Sequence, residues 1–269
     1  MLGLGYGTTR GGVFDTAFAL ADLGSLDLHY DFSTLTGSGG DVVSAATNLG
    51  EGGSNYNLSQ GTDTNQPTLN TSELSLNGVD FATNDFLSLA NAYTTSDETF
   101  TIFVVYEVDA TADTDTFIAG SSGSINQFGV YNHKNVTTRF NGNESAASLN
   151  NVVYTLTDTT SDDDYDGSTT TTTAYTLTAD PEILVVTRDA STNKEIRIYN
   201  KNKDLIGLSS SPDGAASDTN FRIERIGTLA SGGGPTDGVI GEMGIYNKEL
   251  SVSEVGQVVD FLVDKWSIS

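Results

Sequence analysis

The chain has 269 residues, with 36 acidic against 12 basic side chains and a formal net charge of −24. That balance argues against nucleic acid or an anionic membrane as partner, because both need a cationic protein surface. No cysteine is present, so no disulfide framework holds the fold, and no apolar run approaches the ~20 residues that span a bilayer.

Residues 1–13 hold five glycines and no helical or strand period. Leu2, Leu4, Tyr6 and Val13 nevertheless supply apolar handles that a plain linker does not need, and Arg10 is the first of the few basic residues. A Gly-rich terminus of this kind reads either as a disordered tail or as an arm that orders against a partner, another protein of a larger assembly or a second copy of this chain, and the apolar handles point to the arm. Residues 14–23 carry Phe14, Phe18 and Ala21 at helical spacing and predict a short helix, with Asp15 in its first turn. The basic start and apolar core of a signal peptide are lacking, so synthesis in the cytoplasm is expected.

Residues 26–32 alternate. Leu26, Leu28, Tyr30 and Phe32 face one way, and Asp27, His29 and Asp31 the other. His29 between two aspartates invites a metal or catalytic reading, but the alternation favours the polar face of a half-buried strand. Residues 33–73 are polar and glycine-rich, and read as a long irregular connection on the surface or between subunits. Asn77-Gly78 and Asn84-Asp85 mark turns between short strands. In residues 99–108, Phe100, Ile102, Val104, Tyr106 and Val108 share one face while Phe103 and Val105 occupy the other. Apolar residues on both faces predict a central strand. Short strands are then predicted around residues 117–119, 128–131, 137–140 and 152–156.

Residues 158–173 are of low complexity. Asp162, Asp164 and Asp166 before Gly167 reproduce the first half of a calcium loop, because alternate carboxylates can converge on one hard cation. The twelfth position is Thr173 where a bidentate Glu is needed, so a solvated acidic loop is the plainer reading. Beyond Pro181, residues 183–188 and 195–199 read as a hairpin, followed by strands near 204–208 and 221–226.

The closing stretch carries the clearest pattern. Residues 239–246 are β-branched and aromatic. Ser251 and Glu254 form a capping box, and Leu250 and Val255 suit a hydrophobic staple. Val255, Val258, Val259, Leu262 and Trp266 make one apolar stripe at three-to-four spacing. The pattern Gly238-Val-Ile-Gly-Glu242, then Ile245-Tyr-Asn247, Leu250-Ser251 and Lys265-Trp266, resembles the end of the concanavalin A-like lectin/glucanase superfamily, in its laminin-G-like and pentraxin-like branch. Leu28-His-Tyr-Asp-Phe32, Asn77-Gly-Val-Asp-Phe81 and residues 100–106 are similar to its early strands, in the expected order. The resemblance implies an all-β, two-sheet antiparallel jelly-roll sandwich with a short C-terminal helix. The domain organisation is then an arm at 1–24 and a sandwich at 25–269. Many short strands between Gly-rich and Asn-rich turns support the same class.

Members of this superfamily often bind calcium in edge loops, so calcium is the one cofactor implied. The glucanase branch uses carboxylates along one strand as nucleophile and acid. Glu107-Val-Asp109 is the nearest equivalent, but Thr111 and Ala112 stand where a second glutamate is required. No Ser-His-Asp order, phosphate loop or dinucleotide fingerprint is present, and the expectation is a non-enzymatic protein. The Gly-Leu-Gly start followed by Arg-Gly-Gly is similar to the starts of tailed-phage virion proteins. That implies a capsid decoration or fibre subunit whose partners are other virion proteins. The alternative is a carbohydrate-binding module for cell-surface glycans, with loop tyrosines such as Tyr56, Tyr93, Tyr131 and Tyr165 as stacking surfaces. Glycan hydrolysis ranks below both.

Overall fold

The computed structural model describes residues 18–82, 84–94, 99–108, 180–188, 196–209, 222–227, 236 and 238–269. It also describes the backbone of strand segments at 115–119, 127–131, 137–140, 153–157, 164–165 and 171–172. A 3₁₀ turn, Leu20–Leu23, leads into β1 (Leu26–Asp31). The polar connection that follows contains β2 (Ala45–Ala46), β3 (Leu58–Ser59) and β4 (Thr68–Asn70). Next come β5 (Gly78–Phe81), β6 (Leu87–Thr94) and β7 (Phe100–Val108). β8 (Asp115–Ala119), β9 (Gln127–Tyr131), β10 (Thr137–Phe140), β11 (Val153–Thr157), β12 (Asp164–Tyr165) and β13 (Thr171–Thr172) continue the series. β14 (Glu182–Arg188), β15 (Ile196–Tyr199), β16 (Leu205–Ser209), β17 (Arg222–Ile226) and β18 (Gly238–Tyr246) precede the helix α1 (Val252–Trp266).

These strands form the predicted two-sheet sandwich. The first sheet has the order β13-β16-β15-β14-β7-β18-β5-β4, and β1 also pairs with β18. The second has the order β12-β11-β10-β9-β8-β17-β6-β3-β2. Pairing is antiparallel among the described residues except between β10 and β11, which run parallel. One core lies between the sheets and includes Tyr30, Phe32, Phe81, Phe100, Ile102, Val104 and Tyr106. A second lies between the first sheet and α1 and includes Phe103, Val105, Val185, Tyr246 and the helix stripe ending at Trp266. The two cores explain why β7 is apolar on both faces.

The connection over residues 33–73 is more ordered than its composition suggests. Its strands are only two or three residues long, too short to show a period, and they are held by contacts far away in sequence. Asn48 fixes one bend: its Oδ1 accepts the N–H groups of His29 and Gly50, and its Nδ2 donates to the carbonyls of Asp27 and Gly53. The helix expected over 14–23 is the 3₁₀ turn in its described part, with Asp22 in the first turn. Residues 18–24, which the sequence groups with the arm, sit on the body. Phe18 meets Phe261 edge-on at 5.9 Å, the Tyr246 hydroxyl donates to the Leu20 carbonyl, and Lys248 donates to that of Leu23.

Two bulges decide what faces α1. Between Leu26 and Leu28 the register of β1 on β18 shifts, so Leu26 joins the core under the helix while Leu28, Tyr30 and Phe32 join the core between the sheets. Between Ile240 and Glu242 the register of β18 on β7 shifts as well. The extra residue is Gly241, where a Cβ would come within 2.6 Å of the Trp266 ring. The absence of a side chain there lets the indole lie on the strand.

The start of α1 follows its sequence signals. The Glu254 N–H donates to Ser251 Oγ and the Ser251 N–H donates to Glu254 Oε2. These bonds, with Lys248 beside the carboxylate, hold the Glu254 pKa below its ordinary value. Trp266 closes the helix at 1% exposure. Trp266→Ala is expected to cost roughly 3–5 kcal/mol, as large aromatic truncations in cores do. Chemical denaturation checks this, and an unchanged midpoint would contradict the packing described.

Candidate functional site

The most concentrated polar chemistry among the described residues lies between β1, β18 and the end of α1. Glu242 has no exposed surface. His29 Nε2 lies 2.7 Å from its Oε1, while Lys265 Nζ at 2.7 Å and Trp266 Nε1 at 2.8 Å donate to its Oε2. Lys265 also meets Asp31 Oδ2 at 2.7 Å. His29 and Asp31 therefore occupy the polar face of β1 as the alternation predicts, but that face is covered by the helix rather than open to solvent. Burying a carboxylate costs several kcal/mol unless partners replace its water, and here three donors do so. The cluster is closed and satisfied, and its geometry is that of a fastening.

The tyrosines expected to stack on sugars divide differently. Tyr93 is buried and its hydroxyl donates to Asp27 Oδ2 at 2.9 Å. Burial raises its pKa first, and the neighbouring Asp27 adds to this. Tyr56 is half-buried, stands edge-on to Tyr93 with ring centres 5.3 Å apart, and its carbonyl accepts the Tyr30 hydroxyl. Both are packing residues, because each ring is engaged from the side. For Tyr131 and Tyr165 only the backbone, in β9 and β12, is described.

A different aromatic reaches the surface. Arg225 in β17 stands opposite Ser88 in β6, while the flanking Ile223, Ile226, Leu87 and Leu89 point into the core. Arg225 and Ser88 thus face outward from the second sheet. The Arg225 guanidinium lies 4.4 Å above the centre of the half-buried Phe86 ring. The Phe86 N–H donates to the Asn65 carbonyl, and Gln60 Nε2 donates to the Phe86 carbonyl. Gln66 in turn donates to the Gln60 carbonyl. The backbone that carries the ring is therefore held from both sides by the 60–66 segment. Sequence reading missed this pair. Arg225 sits in an ordinary-looking strand, and nothing local says that Phe86, far upstream, lies beneath it.

Glu107 sits near the end of β7, half-buried, with Oε2 unpartnered. Burial, then Glu73 and Asp180, raise its pKa. Asp109, its proposed companion, lies outside the described residues, as do Asp162 and Asp166; of Asp164 only the backbone in β12 is described. No group of His, Asp or Glu with metal-binding geometry occurs among the described residues. The arm residues Leu2, Leu4, Tyr6, Arg10 and Val13 also lie outside them.

No protein-family model matches the chain, and comparison with curated proteins finds no match. Solved structures do match in shape. A GH54 α-l-arabinofuranosidase soaked with 4-nitrophenyl α-l-arabinofuranoside superposes with a TM-score of 0.53 at 12% identity, covering 90% of this chain and 59% of that one. The botulinum neurotoxin serotype D ligand binding domain in complex with N-acetylneuraminic acid gives 0.53 at 12% identity, covering 89% and 51%. Trypanosoma rangeli sialidase in complex with sialic acid gives 0.50 at 11%, covering 90% and 33%. The shared feature is the fold, a two-sheet antiparallel β-sandwich. This chain spans little more than half of the first two structures and a third of the sialidase.

The buried cluster makes a stability prediction. Lys265→Met leaves Glu242 and Asp31 without their shared cation and should destabilise by about 3 kcal/mol. Adding Glu242→Gln should restore part of that loss, since the uncompensated charge is then gone. Equal melting of the single variant and the parent would show that Lys265 does not fasten the helix.

Proposed function

We propose that this chain is a non-catalytic, lectin-like module that binds glycans. The observation that carries the reading is the likeness of nine-tenths of the chain to parts of proteins solved with sugars, among them the neurotoxin ligand binding domain in complex with N-acetylneuraminic acid. A lectin role also agrees with the sequence, which offers one close carboxylate pair, Glu107 and Asp109, and nothing suitable at Thr111 and Ala112.

A glycan array followed by titration calorimetry tests the reading. Saturable binding of a defined set of glycans is expected, with no release of 4-nitrophenol from nitrophenyl glycosides. Absence of binding across neutral and acidic glycans would remove the lectin role, and turnover would replace it with a hydrolase.

The second reading mounts this module on a virion, and the composition of residues 1–13 favours it. Glycines permit close backbone approach while Leu2, Leu4, Tyr6 and Val13 offer apolar contacts. Docking such an arm costs about 1–2 kcal/mol per fixed residue, so an extended contact has to offset it. A chain starting at Phe14 should keep its melting temperature but lose assembly in sedimentation experiments. Unchanged assembly would place the anchoring surface on the sandwich.

A further inference from the structure

Cations are scarce in this chain, and most of those described are engaged by carboxylates. Arg197 pairs with Glu249, Lys201 with Glu182, Lys203 with Asp260, Lys248 with Glu254, and Lys265 with Asp31 and Glu242. Arg188 is buried. Arg225 is different: it reaches the surface, and its contact among the described residues is the face of Phe86. Asp85, next to that ring, does not answer it, because its Oδ2 accepts the N–H of Ala82 within its own turn.

A guanidinium held over a ring face spends none of its N–H donors on hydrogen bonds to that ring, so the planar fork stays available. That geometry suits the two oxygens of a carboxylate, which Arg grips in parallel. The Phe86 backbone is held at both its N–H and its carbonyl, so the main chain that presents the ring is in place before any ligand arrives. Ser88 beside it adds a hydroxyl. The acidic field of the chain opposes any anion, so recognition has to come from contact bonds rather than from long-range steering.

We infer that Arg225 on Phe86 is the anchoring group of a subsite for a carboxylated sugar, a uronic or sialic acid unit of a glycan. The inference rests on the glycan-binding reading and names its ligand class.

Calorimetry on the full chain tests it with oligogalacturonate, sialyllactose, the methyl ester of each, lactose and a sulfated oligosaccharide. One of the two carboxylated sugars should bind roughly ten-fold or more tightly than its own ester, the value of a charge-assisted bond, and which one identifies the source. Arg225→Gln should abolish that preference at unchanged melting temperature. Arg225→Lys, which keeps the charge but not the fork, should retain only a part of it. Equal affinity for acid and ester, equal affinity for sulfated and carboxylated sugars, or a preference that survives in Arg225→Gln would each overturn the subsite. All three leave glycan binding itself standing. Failure of every sugar to bind would remove both.

Discussion

A carboxylate sealed from water beneath the C-terminal helix governs how this sandwich is put together. Glu242 has to be paid for in donors, and each donor ties a different element to β18: His29 brings β1, while Lys265 and Trp266 bring the last turn of α1. The bulge at Gly241 makes this arrangement feasible. It turns two successive residues toward the helix, one with no side chain so that the indole fits, the other with the charge that the indole N–H meets. A regular strand would have sent Glu242 into the apolar space between the sheets.

The fold was largely legible where its causes are local. The capping box, the staple and the stripe of α1 are written within a few neighbouring residues, and the two-sided apolar pattern of β7 announces a strand covered on both faces. The polar cluster was not legible, because His29 and Glu242 stand 213 residues apart and the bulges that aim them follow no simple period. The same limit applies to Tyr93. Its sequence neighbourhood reads as a polar loop, yet β6 continues through it and points the ring inward. Arg225 and Phe86 escaped notice for the converse reason: each looks ordinary alone, and only pairing of β17 with β6 brings them together.

The two sheets differ in what covers them among the described residues. α1 covers the outer side of the central strands of the first sheet, which secures the second core. Among the described residues the second sheet has Arg225 and Ser88 on its outward side, with the half-buried Phe86 ring beneath the guanidinium. In a protein with so many carboxylates, a basic side chain with no ion pair among the described residues is uncommon, and Arg225 lies on that side.

The pairing of β1 with β18 has a consequence for how the chain is made. The first strand of the sheet leaves the ribosome long before the strand that completes it, and its polar face has no cover until α1 follows. The contacts that close the second core are therefore among the most distant in the chain, and folding of this kind is slow because loop closure precedes its reward. During synthesis the exposed edge of β1 has to be kept from pairing with other chains. His29 and Asp31 along it supply polarity in that interval, so residues that later fasten the helix first serve to keep an unfinished sheet soluble.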